Sequence, residues 1–196
     1  MNSRMRAQDR REVVLQAATT AFARGGYAGT STDTVAKQAG VSQPYVVRIF
    51  GTKQDLFLEV FEHACRRIDD AFHAVLAERP FDPDDEEDWG RLGAAYVELL
   101  ADSDFLHVMM HGFAVGAGVP EIGKVGRAGM ARLFETLHGT GASAERVREF
   151  LSEGMLLNVL LSMGALNDPS GPLRELVAAC LPEDAMERIL AGSPEA

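Results

Sequence analysis

Apolar residues in this 196-residue chain recur at helical spacing from one end to the other, and strand-like alternation is nearly absent. That periodicity restricts the fold to an all-α architecture. From Asp9 to Arg24, Val13, Val14, Ala17, Ala18, Ala21 and Phe22 follow a 3.6-residue repeat, with acids in the first turn and Gly25-Gly26 as the expected stop. Thr30 stands three residues before Asp33, a capping-box spacing that predicts a short helix ending at Gly40. Ser42 is expected to cap a second short helix ending near Phe50. Thr52-x-x-Asp55 then repeats the capping signal and opens a long helix, Gln54 to Arg79. The acid- and proline-rich stretch Pro80 to Asp88 reads as a solvated loop. Beyond it, helices are expected near 88–101, 103–116, 120–138, 143–166 and 172–191, the last interrupted at Pro182, about nine in all.

Charge divides the chain more sharply than its average suggests. The net charge is −10, which alone argues against a polyanionic partner. Residues 1–53, however, hold eight basic and three acidic side chains, a local +5, and leave −15 for the rest. A basic end on an acidic body orients a molecule toward a polyanion. The division suggests a first domain over 1–53 and a second over 54–196.

The segment TSTDTVAKQAGVSQPYVVRIFGTK, Thr30 to Lys53, has the layout of a helix-turn-helix: two short helices joined by a turn containing Gly40. Gly40 can take positive φ, Val41 can tuck between the helices, and Ser42 can cap the second one. Val46, Ile49 and Phe50 are the expected apolar anchors of that second helix. Gln43, Pro44, Tyr45, Val47 and Arg48 are then left facing outward.

Tyr27, Thr30, Val35-Ala36, Ala39-Gly40-Val41-Ser42, Phe50, Lys53 and Leu56 together resemble the N-terminal signature of the tetracycline-repressor (TetR) family. The resemblance covers roughly residues 9–60. It implies a three-helix DNA-binding domain followed by a larger helical domain that binds a ligand and forms the dimer. It also implies that Gln43, Pro44, Tyr45 and Arg48 face the major groove, where Gln can pair with adenine and Arg with guanine. Ser42 belongs with this group. Thr30, Thr32 and Lys53 look like contacts to the DNA backbone, and Arg4 and Arg6 could form an arm for the minor groove. One position departs from the pattern. Where the family commonly has a tyrosine three residues before the phenylalanine this chain has Val47, and Tyr45 is the candidate replacement for the phosphate contact.

The body carries two further signals. Gly154 to Leu166 is apolar on almost every side, and a helix of that kind needs cover all round. A second subunit is the expected cover, and the resemblance likewise implies a homodimer, here through about 143–166 and 172–191. A helix buried within one subunit is the alternative. The preceding helices supply large, adaptable side chains that could line a pocket for a largely apolar effector: Phe61, Cys65, Phe72, Tyr96, Leu100, Phe105, Met109, Met110, Phe113, Met130, Phe134 and Met155. Such stripes more often form core. His107, His111, Tyr96 and Asn158 are the polar groups that could orient a ligand. Six glycines from Gly112 to Gly129 suggest a wall that yields easily.

His107 and His111 share a helical face, but no third metal ligand accompanies them, so no metal is expected. No cofactor is expected either. Cys65 and Cys180 are far apart and read as thiols of a reducing cytoplasm. No apolar run reaches the length of a membrane span, so a cytoplasmic protein is expected. The whole points to a DNA-binding transcription regulator, a repressor on a palindromic operator released by a small ligand. An all-α enzyme using the same cavity, and a regulator that responds to no ligand, are the alternatives. The residues offer no nucleophile-base-acid set for the former.

Overall fold

The computed structural model describes residues 7–167, 171–181 and 183–192. Among them are ten α-helices and no strand: α1 (Ala7–Gly29), α2 (Thr32–Ala39), α3 (Gln43–Phe50), α4 (Lys53–Glu78), α5 (Glu86–Leu100), α6 (Ser103–Val115), α7 (Pro120–His138), α8 (Ala144–Ser162), α9 (Pro172–Cys180) and α10 (Glu183–Gly192). A single 3-10 turn, Ala165–Asn167, lies between α8 and α9. Pro182, the expected interruption, lies outside the described residues; α9 ends at Cys180, α10 begins at Glu183, and Leu181 is extended (φ −135°, ψ 136°), as a residue preceding proline prefers.

The chain forms two compact units, each built from separated segments. The first comprises the described residues of Met1–Ala64 with His107–Gly126, and the second those of Cys65–Leu106 with Arg127–Ala196. The first unit therefore takes in residues well beyond position 53.

In the first unit α2 packs against both α1 and α3. Its core joins Val14, Ala18 and Phe22 of α1 to Val35, Val46, Leu56, Phe57 and Phe61, all buried. Phe57 is the hub, with edge-on contacts to Phe22 (4.9 Å) and Tyr27 (5.2 Å) and a stacked one to Phe61 (6.1 Å). Rings in such arrangements gain attraction beyond the area they bury. The regular helix from Ala7 breaks at Gly25-Gly26, as expected. Helical turns continue to Gly29, interrupted at Gly26, whose φ of 62° and ψ of −179° suit only glycine. Gly25 serves close approach instead: a Cβ there would lie 2.7 Å from the Thr30 hydroxyl.

Some of the glycines expected to form a yielding wall lie at close contacts. A Cβ on Gly112 would fall 2.3 Å from the Phe61 ring, and one on Gly116 3.0 Å from Gly123 Cα. At these two positions a side chain would not fit, which opposes rearrangement at the contact.

In the second unit α5 packs on α8 and α10, and α9 on α8. Trp89 and Phe72 both touch Phe150, at 5.2 and 5.8 Å between ring centres. The loop expected to be solvated is anchored. Asp88, only 1% exposed, accepts from the Asp82 backbone N–H (2.8 Å) and pairs with Arg79 (2.7 Å) and Arg91 (2.9 Å). Trp89 Nε1 donates to the Pro83 carbonyl at 2.9 Å. The Asp82 N–H, helped by the two guanidinium groups and opposed by burial, holds the Asp88 carboxyl below the usual carboxylate range.

Candidate nucleic-acid interface

The two short helices are set by local chemistry. Gly40 takes the left-handed conformation (φ 65°, ψ 31°) and its N–H caps α2. The N-cap of α2 is Ser31, not Thr30: Ser31 Oγ accepts from the Thr34 N–H at 3.1 Å. The box at the start of α4 forms as expected. Thr52 N–H donates to Asp55 Oδ2 at 2.8 Å and Asp55 N–H to Thr52 Oγ1 at 3.1 Å, and the bonds from Thr52 keep the Asp55 carboxyl below its ordinary value. Ser42 makes no side-chain cap, contrary to expectation, and α3 instead begins with Pro44 in its first turn. Proline is tolerated there because the N–H it lacks has no partner inside the helix.

α3 presents a clear division. Val46 and Phe50 are buried, while Gln43, Pro44, Val47 and Arg48 are exposed and Tyr45 half-buried. Ile49, expected as an anchor, is 38% exposed, because its side chain falls off the narrow buried stripe of an eight-residue helix. Gln43 Nε2 donates to Thr32 Oγ1 at 3.1 Å. Its carbonyl oxygen and second N–H are still enough for the paired recognition of adenine.

The expected backbone contacts converge on one open cleft of about 590 Å³, lined by Ala28 to Thr32, Val47, Gly51, Thr52 and Lys53. It lies at the starts of α2 and α4, where helix N-termini favour negative charge. Two of its members are partly committed elsewhere. Thr30 is 3% exposed and its hydroxyl donates to the Ala21 carbonyl at 3.0 Å, so that hydroxyl faces inward. Lys53 Nζ donates to the Tyr27 and Ala28 carbonyls at 2.9 and 3.4 Å and lies 4.7 Å from the Tyr27 ring centre. One of its three N–H donors remains. Arg4 and Arg6 lie outside the described residues.

Other cations of this unit have structural partners. Arg11 pairs with Glu59 and lies 4.9 Å from the Phe50 ring centre, tying α1 to α3 and α4. Lys37 is held by Asp33 at 2.7 Å, a hydrogen bond that raises its pKa. Arg10 was missed by sequence reasoning. Its guanidinium lies over the Tyr45 ring of α3, 5.8 Å from the centroid, a contact between residues 35 apart that no local spacing announces.

The candidate effector-lining residues fall in both units. In the first are Phe61, His107, Met109, Met110, His111 and Phe113. Phe61 and Met109 are buried and the other four half-buried. His111 Nε2 lies 3.2 Å from the Ala23 carbonyl, which can only accept, so that nitrogen carries the proton. In the second unit are Cys65, Phe72, Tyr96, Leu100, Phe105, Met130, Phe134, Met155 and Asn158. Tyr96 donates to Asn158 Oδ1 at 2.7 Å, and Asn158 Nδ2 reaches Met155 Sδ at 3.8 Å. Burial pushes the Tyr96 hydroxyl up to about 12. Phe134 is 38% exposed and stacks on His138 at 5.2 Å, a surface position that turns it away from the core. Among the described residues no cluster of three or more His, Cys, Asp or Glu could hold a metal, and no helix is long and apolar enough to cross a membrane.

Comparison with known proteins places this geometry. Residues 14–60 match the family described as bacterial regulatory proteins, tetR family. YhgD of Bacillus subtilis, an HTH-type transcriptional regulator, is 42% identical over 53 residues, which span 27% of this chain and only 28% of that relative. A TetR-like transcriptional regulator from Rhodococcus sp. RHA1 has a similar structure, with a TM-score of 0.64 at 20% identity over 97% of this chain and all of the other. The multidrug binding protein EbrR, solved with imidazole, gives 0.59 at 20% identity over the whole of this chain and 95% of that one. Both structural likenesses are likenesses of fold. Residues 14–60 of this protein thus carry the pattern of the tetR family of bacterial regulatory proteins, and the chain as a whole shares its fold with the solved regulators above.

Proposed function

We propose that the chain is a DNA-binding transcription regulator, a repressor that binds a palindromic operator as a homodimer and is released by a small, largely apolar molecule. The observation that carries this reading is the outward face of α3, where Gln43, Pro44, Tyr45 and Arg48 stand clear of the core beside the cleft at the starts of α2 and α4. Such a face can enter a major groove while the cleft receives backbone phosphate.

The dimer is supported by exposed apolar side chains. Leu156, Val159 and Met163 lie at i, i+3 and i+7 on and just beyond α8, and Leu173 and Leu176 on α9 are exposed as well. A second copy covering them would place two reading heads on one operator, about one DNA turn or a multiple apart. The effector reading draws on the methionine and aromatic content of the body and on the printed description of EbrR as a multidrug binding protein. α4, unbroken from Lys53 to Glu78, is the element we assign to carry the signal. A coupling of about 1–3 kcal/mol would relieve DNA binding roughly 5- to 150-fold. A cytoplasmic location follows from the regulatory role.

Footprinting on the DNA upstream of the protein's own gene, repeated with candidate metabolites, tests target and release together. Protection of a two-fold symmetric site that is lost with one metabolite is the expected result. A purified chain that stays monomeric and holds no duplex at low ionic strength overturns the reading.

A further inference from the structure

Basic side chains on the first unit differ in what neutralises them. Arg11 has Glu59, Lys37 has Asp33, and Lys53 has the carbonyls that end α1. Arg10 and Arg48 have no carboxylate within ion-pair distance among the described residues. What they share is a ring: the guanidinium carbons lie over Tyr45, 5.8 and 5.2 Å from its centroid, so they are no more than 11.0 Å apart. Two like charges at such a distance repel, and the attraction of each for the ring face holds them in place nonetheless. Arg48 is exposed and Arg10 half-buried, and Tyr45 occupies the side of α3 that turns away from Val46 and Phe50.

We propose that Tyr45 acts as a positioning platform whose ring aims Arg48 at a base edge and holds Arg10, from α1, against a backbone phosphate of the same DNA site. The inference rests on the regulator reading above and deepens it. An aromatic face restricts a flexible guanidinium without using its N–H donors, so Arg48 keeps its fork for a guanine and Arg10 keeps its own for a phosphate. A phosphate of the bound DNA beside α1 also relieves the repulsion that the free protein carries. The phosphate contact that Val47 cannot make is thereby supplied by Arg10 and not by the Tyr45 hydroxyl, which is free of that task.

The test uses the full-length protein on its footprinted operator and on a random duplex, with affinity measured from 50 to 200 mM salt. Arg10→Ala is expected to lower the slope of log K against log salt by about 0.9 for each protomer bound, on both duplexes alike. Tyr45→Phe keeps the ring, and in that background Arg10→Ala is expected to lower the slope by as much as it does in the wild-type background. Tyr45→Leu is expected to lose both the slope contribution and roughly tenfold of the discrimination at the base read by Arg48. Circular dichroism melts of each variant separate these effects from unfolding. An unchanged salt slope for Arg10→Ala in a wild-type background that binds its operator overturns the phosphate assignment. Tyr45→Phe behaving like Tyr45→Leu overturns the platform and points to the hydroxyl. A wild type that holds neither duplex defeats the regulator reading itself.

Discussion

The first unit leaves Arg10 and Arg48 without a carboxylate partner among the described residues, whereas the second encloses a cluster of ions and leaves a series of leucine, valine and methionine side chains exposed. On the first, Val46 and Phe50 are buried while Arg10 and Arg48 stand beside one tyrosine ring. On the second, Asp88 is enclosed by Arg79 and Arg91, and Arg67 is held by Asp102 at 2.7 Å, yet Leu156, Val159, Met163, Leu173, Leu176 and Leu190 remain exposed. Each unit thus lacks what a particular partner supplies. We propose a polyanion as the partner of the first and an apolar surface as that of the second, because an uncovered cation and an uncovered leucine are stabilised by different things.

The contrast can be broken most forcefully at α8. Leu156→Glu would bury a carboxylate in the apolar face, at on the order of 3 kcal/mol, or roughly a hundredfold in the dimer dissociation constant. Sedimentation should show monomer where the wild type shows dimer, and an unchanged mass would remove the assigned interface. A smaller effect is expected inside the second unit. Tyr96→Phe leaves the buried Asn158 Oδ1 without its donor and should cost about 1–3 kcal/mol in urea unfolding. A loss below a few tenths would mean that this polar pair contributes nothing to the body.

The smallest effect is confined to acid solution. Asp88 has a carboxyl pKa below the ordinary value, so its contribution to stability is complete above the ordinary carboxylate range. It is then lost as pH falls through the folded-state value. Thermal melts should show that acid limb flattened in Asp88→Asn. An identical pH profile in the two proteins would show that the anchored loop does not depend on this charge.

Much of the head was legible in the chain. A left-handed Gly40 and the reciprocal bonds between Thr52 and Asp55 involve partners at most four residues away, and local spacing reports such partners directly. Thr30 and Ser31 show the limit. Both have hydroxyls near a helix start, and only the contact of Thr30 with Ala21, nine residues back in sequence, turns it inward and leaves the cap to Ser31. Gly112 shows the same limit. Composition reports missing side chains, but the neighbours filling that space, such as Phe61 against Gly112, come from another helix.

Periodicity, turn chemistry and composition determined by themselves that the chain is helical, where its two short helices lie and that its charge divides in two, since these depend on near neighbours or on simple sums. Only the tertiary structure decided which of two consecutive arginines ties the helices together and which reaches the Tyr45 ring. Arg11 meets Glu59 and Phe50, and Arg10 meets Tyr45. Those partners lie 35 to 48 residues away, and side chains so far apart in sequence acquire distinct roles only when packing brings their helices together.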